Sequence, residues 1–228
     1  MGGIRYDGGA GAALPITSFS DPFIGAGRSM AGPRYYCQME NPNGTAGVDV
    51  DAQLNFSGAG GIFGSGSGVN NNAMRATFFP SETDPNAVRA GSLTRGAFAQ
   101  WTLVSRAVGI DCEAGLIVFG QSGGGVNAPC YWLNVQSETT NTGLNMGFGM
   151  AVYAIRANCF ANAPGDVVRI EARWSAASND IRTFQNGVLK TTDIDNNAAR
   201  PQGGLNAFGF YGVFTGVLVF KDFSCGLL

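Results

Sequence analysis

Three runs near the end of the chain decide how the rest is read. They are Asp166-Val-Val-Arg-Ile-Glu-Ala-Arg-Trp174, Asp180-Ile-Arg-Thr-Phe-Gln-Asn-Gly-Val-Leu-Lys-Thr-Thr192 and Gly216-Val-Leu-Val-Phe-Lys-Asp-Phe-Ser-Cys225. In the first, Val168, Ile170, Ala172 and Trp174 alternate with Val167, Arg169, Glu171 and Arg173. Side chains on a strand alternate between its faces, so this is a strand with one dry and one wetter face. In the second, Asn186-Gly187 separates two β-prone runs. Both residues tolerate positive φ, which a two-residue type I′ turn requires, so Ile181–Gln185 and Val188–Thr192 are predicted to form a hairpin. The third run predicts a closing strand, with Leu218, Phe220 and Asp222 on one face and Val217, Val219, Lys221 and Phe223 on the other.

Working outward, the same period recurs. Strands are predicted over Arg34–Met39, Val48–Phe56, Met74–Phe79, Phe98–Arg106, Gly115–Phe119, Cys130–Gln136 and Met146–Arg156. Within Cys130–Gln136 the pattern sets Tyr131, Leu133 and Val135 opposite Trp132 and Asn134. Gly58–Asn72, with its Gly-Ser repeats and Asn run, reads as a long loop, and Ser137–Asn145 as a polar turn. Pro164-Gly165-Asp166 is a turn. No window sustains a helical period. Eleven or twelve strands joined by Gly- and Asn-rich turns predict an all-β, antiparallel two-sheet sandwich. Met1–Ser18 is predicted to be an extended arm and residues 19–228 the sandwich domain.

Composition supports this class. The 228 residues are 45% hydrophobic but only 13% charged, against an ordinary charged share of about 25%. Glycine contributes 35 residues, which suits many tight turns. The net charge is −2 and there is no histidine, so no basic face for nucleic acid is indicated. No run reaches the ~18 apolar residues of a membrane-spanning helix. Cys37, Cys112, Cys130, Cys159 and Cys225 are widely spaced and odd in number, with no secretory leader; this predicts buried free thiols in a reducing compartment.

The order of elements resembles the concanavalin A-like jelly rolls, the lectin, glucanase and laminin-G-like superfamily. The resemblance lies in the alternating strand to Trp174, Asn186-Gly187 with Val188-Leu189, the approach to Gly209-Phe-Tyr-Gly212, and the closing Lys221-Asp-Phe-Ser224. Phe19-Ser-Asp-Pro-Phe23 is similar to the opening of such domains, where a short strand lies beside the closing one. The resemblance spans about Phe19 to Cys225, and it is greatest to the versions carried by tailed-phage virion proteins. It implies a non-enzymatic virion component, in head decoration, tail or fibre, whose partners are other virion proteins and copies of itself. The alternative it implies is a lectin-like module that binds a host glycan.

Candidate chemistry is sparse. A glycosidase needs two carboxylates at short range, and the glucanase relatives carry them as Glu-x-Asp-x-x-Glu. Here only Asp49-Val-Asp51, Asp111-Cys-Glu113 and Asp193-Ile-Asp195 occur, each lacking the third acid. Without histidine no Ser-His-Asp or Cys-His site can form. Neither catalytic, cofactor-binding nor metal-ligating residues are therefore assigned. Asp193-Ile-Asp-Asn-Asn197 could offer oxygen to calcium, but Ala198 and Gly204 stand where an EF-hand loop needs Gly and Glu, and an Asx-rich turn is expected. Tyr131, Trp132 and Tyr211 are candidates for stacking on a sugar ring; Trp101 and Trp174 are expected in the core.

Overall fold

The computed structural model describes residues 18–23, 35–40, 54–56, 62–64, 75–80, 96–106, 113–120, 129–136, 139–148, 151–201, 207–213 and 218–228. Among these, all regular structure is strand, in two antiparallel sheets. The larger sheet runs in the order β13 (Val188–Asp195), β12 (Asn179–Gln185), β11 (Val167–Trp174), β6 (Ala97–Arg106), β15 (Leu218–Leu227), β4 (Ile62–Gly64), β3 (Leu54–Phe56), and β1 (Ser18–Asp21) also pairs with β15. The smaller sheet runs β10 (Ala151–Ala161), β9 (Asn141–Phe148), β8 (Pro129–Gln136), β7 (Glu113–Gly120), β14 (Ala207–Val213), β5 (Arg75–Pro80), β2 (Tyr35–Glu40). The two-sheet sandwich expected from the alternation is the observed architecture.

The core is built by the inward set of each strand. From the larger sheet come Ala97, Ala99, Trp101 and Leu103, then Val168, Ile170 and Ala172, then Ile181. The smaller sheet contributes Leu116, Val118, Tyr131, Leu133, Val135 and Leu144. Trp101 is 1% exposed and stacks on Phe220 with centroids 3.8 Å apart. Trp174 packs on this core at its margin, half-buried. Asn186 (φ 53°) and Gly187 (φ 78°) both adopt positive φ, as a type I′ turn demands, and join β12 to β13. β1 lies along β15 with Phe19 opposite Cys225, and Phe23 stacks on Phe223 at 6.0 Å. Of the arm expected over residues 1–18, only Ser18, the first residue of β1, is among the described residues.

Several local expectations are corrected. Phe223 does not share the face of Val219 and Lys221. A register shift between Lys221 and Ser224, with Asp222 at φ 53°, inserts extra chain, so Asp222 turns to solvent and Phe223 becomes fully buried. The polar run Ser137–Asn145 is not simply a turn: its second half forms β9, whose Thr142, Leu144 and Met146 face inward opposite Val135, Leu133 and Tyr131. Pairing with β8 outweighs the low strand preference of its Asn and Gly residues. The strand expected over Met146–Arg156 is instead the end of β9 and the start of β10, an antiparallel pair. Ile62–Gly64, inside the expected loop, is a strand between β15 and β3. Of the strand expected over Val48–Phe56, β3 is its last part, and residues 48–53 lie outside the described residues.

Candidate functional site

The alternation of β8 separates two chemistries. Tyr131, on the inner face, donates its hydroxyl to Asp195 Oδ2 at 2.6 Å and accepts from Asn179 Nδ2 at 2.7 Å. It thereby ties the smaller sheet to the end of the β12–β13 hairpin, and with no exposure it is closed to a sugar. The stacking role expected of Tyr131 is thus overturned. Trp132 and Asn134 lie on the outer face of the smaller sheet.

Strand register builds that outer face into rows. One row carries Ile155, Asn145, Trp132, Ile117 and Gly209 as successive Cα partners. The next carries Gly143, Asn134, Gly115, Tyr211, Thr77 and Gln38. Glycine is unfavourable inside strands and often marks close approach of another group. Here Gly115 and Gly143 flank Asn134, and Gly209 neighbours Ile117. Trp132 (7% exposed), Asn134 (3%), Asn145 (8%) and Ile117 (4%) are buried, and Ile155, beside Asn145 on the edge strand β10, is 66% exposed. An apolar indole face bordered by two carboxamides can hold a ligand that is apolar on one side and rich in donors and acceptors around its rim. The side chain of Tyr211 lies outside what the structure describes. Asn134, Asn145, Gly115 and Gly143 were not singled out from the sequence. The available signal was four strand-disfavoured residues at outward positions of apolar strands.

The acids are placed elsewhere. Asp49, Asp51 and Asp111 lie outside the described residues. Glu113 opens β7 opposite Gln136, and Glu40 sits on β2 opposite Arg75. Asp193 is bound by Arg156 of β10, whose Nε lies 2.8 and 2.9 Å from its two oxygens. That hydrogen bond and the adjacent charge raise the pKa of Arg156 above its ordinary value. Asp193 and Asp195 are strand residues, not the loop residues expected. The segment after them is the anticipated Asx-rich turn: Asn197 N donates to Asp195 Oδ1 at 3.0 Å and Ala199 N to Asn197 Oδ1 at 2.8 Å. Among the described residues no three His, Cys, Asp or Glu side chains gather as metal ligands would.

Cys130 and Cys225 are buried thiols, as expected, and Cys159 is a half-buried one. Burial pushes the Cys159 thiol pKa up and that of Cys225 up strongly.

No protein-family model matches the chain, and no curated protein matches it. Solved structures do. The endo-1,3-beta-glucanase from Streptomyces sioyaensis is 13% identical with a TM-score of 0.57, covering 98% of this chain and 100% of its own. The lectin UEA-II in complex with galactose is 9% identical with a TM-score of 0.52, covering 92% and 98%. The beta-glucanase of Bacillus licheniformis is 12% identical with a TM-score of 0.51, covering 93% and 98%. The fold is the concanavalin A-like jelly roll. These likenesses overturn the expectation that the chain is not an enzyme: glucanases share its fold over nearly their whole length, so the missing acid motif no longer excludes hydrolysis.

Proposed function

We propose that this protein binds carbohydrate on the outer face of its smaller sheet, around Trp132, Asn134 and Asn145. The observation that carries the reading is the pair of rows in which an indole and two carboxamides stand among glycines. A sugar ring has an apolar face to lie on an indole and equatorial hydroxyls to exchange hydrogen bonds with carboxamides. The missing side chains at Gly115 and Gly143 bring such a ring close to the backbone. The galactose-bound lectin and the glucanases, which share the fold, support the same class of ligand.

A glycan array followed by titration calorimetry tests this. Binding is expected, with Asn145→Ala weakening it about tenfold, the worth of one good hydrogen bond. Binding unchanged in Asn145→Ala and in Trp132→Phe would move the site elsewhere; no binding across the array would remove the reading. Release of reducing ends from any bound polysaccharide should be followed in the same samples.

A virion component is the second reading. It rests on the resemblance to the versions carried by tailed-phage virion proteins; the pairing of β1 with β15 fits the opening of concanavalin A-like domains in general. A fixed, stoichiometric copy number in purified particles, measured by quantitative mass spectrometry, is the expected result, and absence from particles would remove it.

A further inference from the structure

One backbone outlier stands inside the smaller sheet. Thr140 and Asn186 take positive φ in connections between strands, and Asp222 takes it in the solvent-facing bulge of β15. Phe119 (φ 56°) instead lies within β7 and has no exposure. A bulky side chain holds this conformation against a steric cost. The ladder shows what the cost achieves. Ala207 of β14 pairs with Gly120 and Gly209 with Ile117, so Val118 and Phe119 together oppose Phe208 alone. That is a β-bulge. Val118 is the Cα partner of Tyr131 and faces the core. In a regular strand Phe119 would come next, opposite Cys130 and on the outer face. Its ring turns inward instead and lies 6.0 Å from that of Tyr131. The outer row beside that of Trp132 is left with Cys130 and its Cα partner Gly147. Gly143, Asn134 and Gly115 form the row on the other side of Trp132.

We propose that Phe119 is a positioning residue of the carbohydrate site. Its bulge takes a phenyl ring off the outer face beside Trp132, so a sugar lying on the indole extends over Gly147 and Cys130. The proposal rests on the glycan reading above and adds to it a residue that sets the room available to the ligand. Phe119 touches no sugar; it acts through the conformation of β7. Strain at a bulky residue persists only where the surrounding structure holds it, and bulges beside ligand sites re-aim side chains. Here both observations fall on one residue, at the margin of the one outer-face indole among the described residues. Packing of the core by the Phe119 ring is the competing role. The two roles differ in what must be kept: the ring for packing, the positive φ for the site.

Three variants of the full chain separate them, with the oligosaccharides of a glycan array and a soluble β-1,3-glucan as probes. Phe119→Gly removes the ring and takes positive φ without strain, whereas Phe119→Val keeps an apolar side chain but, being β-branched, opposes positive φ. Phe119→Gly should lower Tm yet bind within ~2-fold of the wild type, and Phe119→Val should bind at least ~10-fold more weakly. Gly147→Phe returns a ring to the cleared row from the facing strand; it should keep the wild-type circular dichroism and also weaken binding at least ~10-fold. Gly147→Phe that binds as tightly as the wild type overturns the proposal, and does so even if neither Phe119 variant folds. So does Phe119→Gly that loses as much affinity as Phe119→Val, which would leave Phe119 a packing residue. In both cases a wild type that binds keeps the glycan reading. A wild type that binds none of the probes removes that reading and this proposal with it.

Discussion

Replacing Tyr131 with Phe removes one hydroxyl from between the two sheets and leaves the ring in place. The hydroxyl donates to Asp195 Oδ2 at 2.6 Å, a charge-assisted bond, and accepts from Asn179 Nδ2 at 2.7 Å. The first contributes about 1.5–3 kcal/mol and the second about 1 kcal/mol. Phe recovers roughly 1 kcal/mol because no hydroxyl needs desolvation. Asn179 keeps its bond to the Pro201 carbonyl at 3.0 Å, which limits the loss on that side. The net expectation is a destabilisation of about 2 kcal/mol, or roughly 4–8 °C in Tm for a chain of this size. Urea unfolding followed by tryptophan fluorescence measures it, with an unchanged m-value as the sign that the unfolding surface is preserved. In a double-mutant cycle, Asn179→Ala should cost clearly less in the Tyr131→Phe background than in the wild type. A loss below about 0.5 kcal/mol, or strict additivity in the cycle, would refute the idea that this hydroxyl couples the sheets.

Two glycines at positive φ should respond very differently to alanine. At Gly187 (φ 78°) nothing lies within 4 Å of an added Cβ, so Gly187→Ala should cost only about 1–2 kcal/mol of backbone strain; at Gly96 (φ 102°) the Cβ would sit 2.5 Å from the Ala172 carbonyl oxygen, and Gly96→Ala should cost more than about 3 kcal/mol in the same unfolding assay. The raised thiol pKa values of Cys225 and Cys159 mean that the folded chain holds these protons more tightly than the unfolded one. Their contribution to stability is therefore complete below about pH 8.5 and declines as pH rises beyond it, and a Cys225→Ser/Cys159→Ser variant should show a flatter fall in alkaline urea melts. The Arg156–Asp193 pair has an arginine side chain 46% exposed; Arg156→Ala should cost no more than about 1 kcal/mol, with the difference from wild type shrinking in high salt.

The sequence by itself determined the fold class and most of the strands. Alternation in Val167–Trp174 and Cys130–Gln136 and the Asn186-Gly187 turn are local properties, written into neighbouring residues by the period of the strand and the φ each turn position demands. Tertiary structure decided which strands meet and where that period is broken. The bulges at Lys190 and Asp222 are single-residue insertions whose phase change shows only against a partner strand, so Phe223 and Leu189 could not be assigned to a face beforehand. β9 is a strand because β8 supplies its partner, although its own Asn and Gly residues argue for a turn. The candidate site follows the same rule. Trp132 stood out in the sequence, but Asn134, Asn145 and the intervening glycines come from three different strands and become neighbours only through inter-strand register. Tyr131 and Asp195, 64 positions apart, become partners for the same reason: a sandwich brings together residues that no local pattern relates.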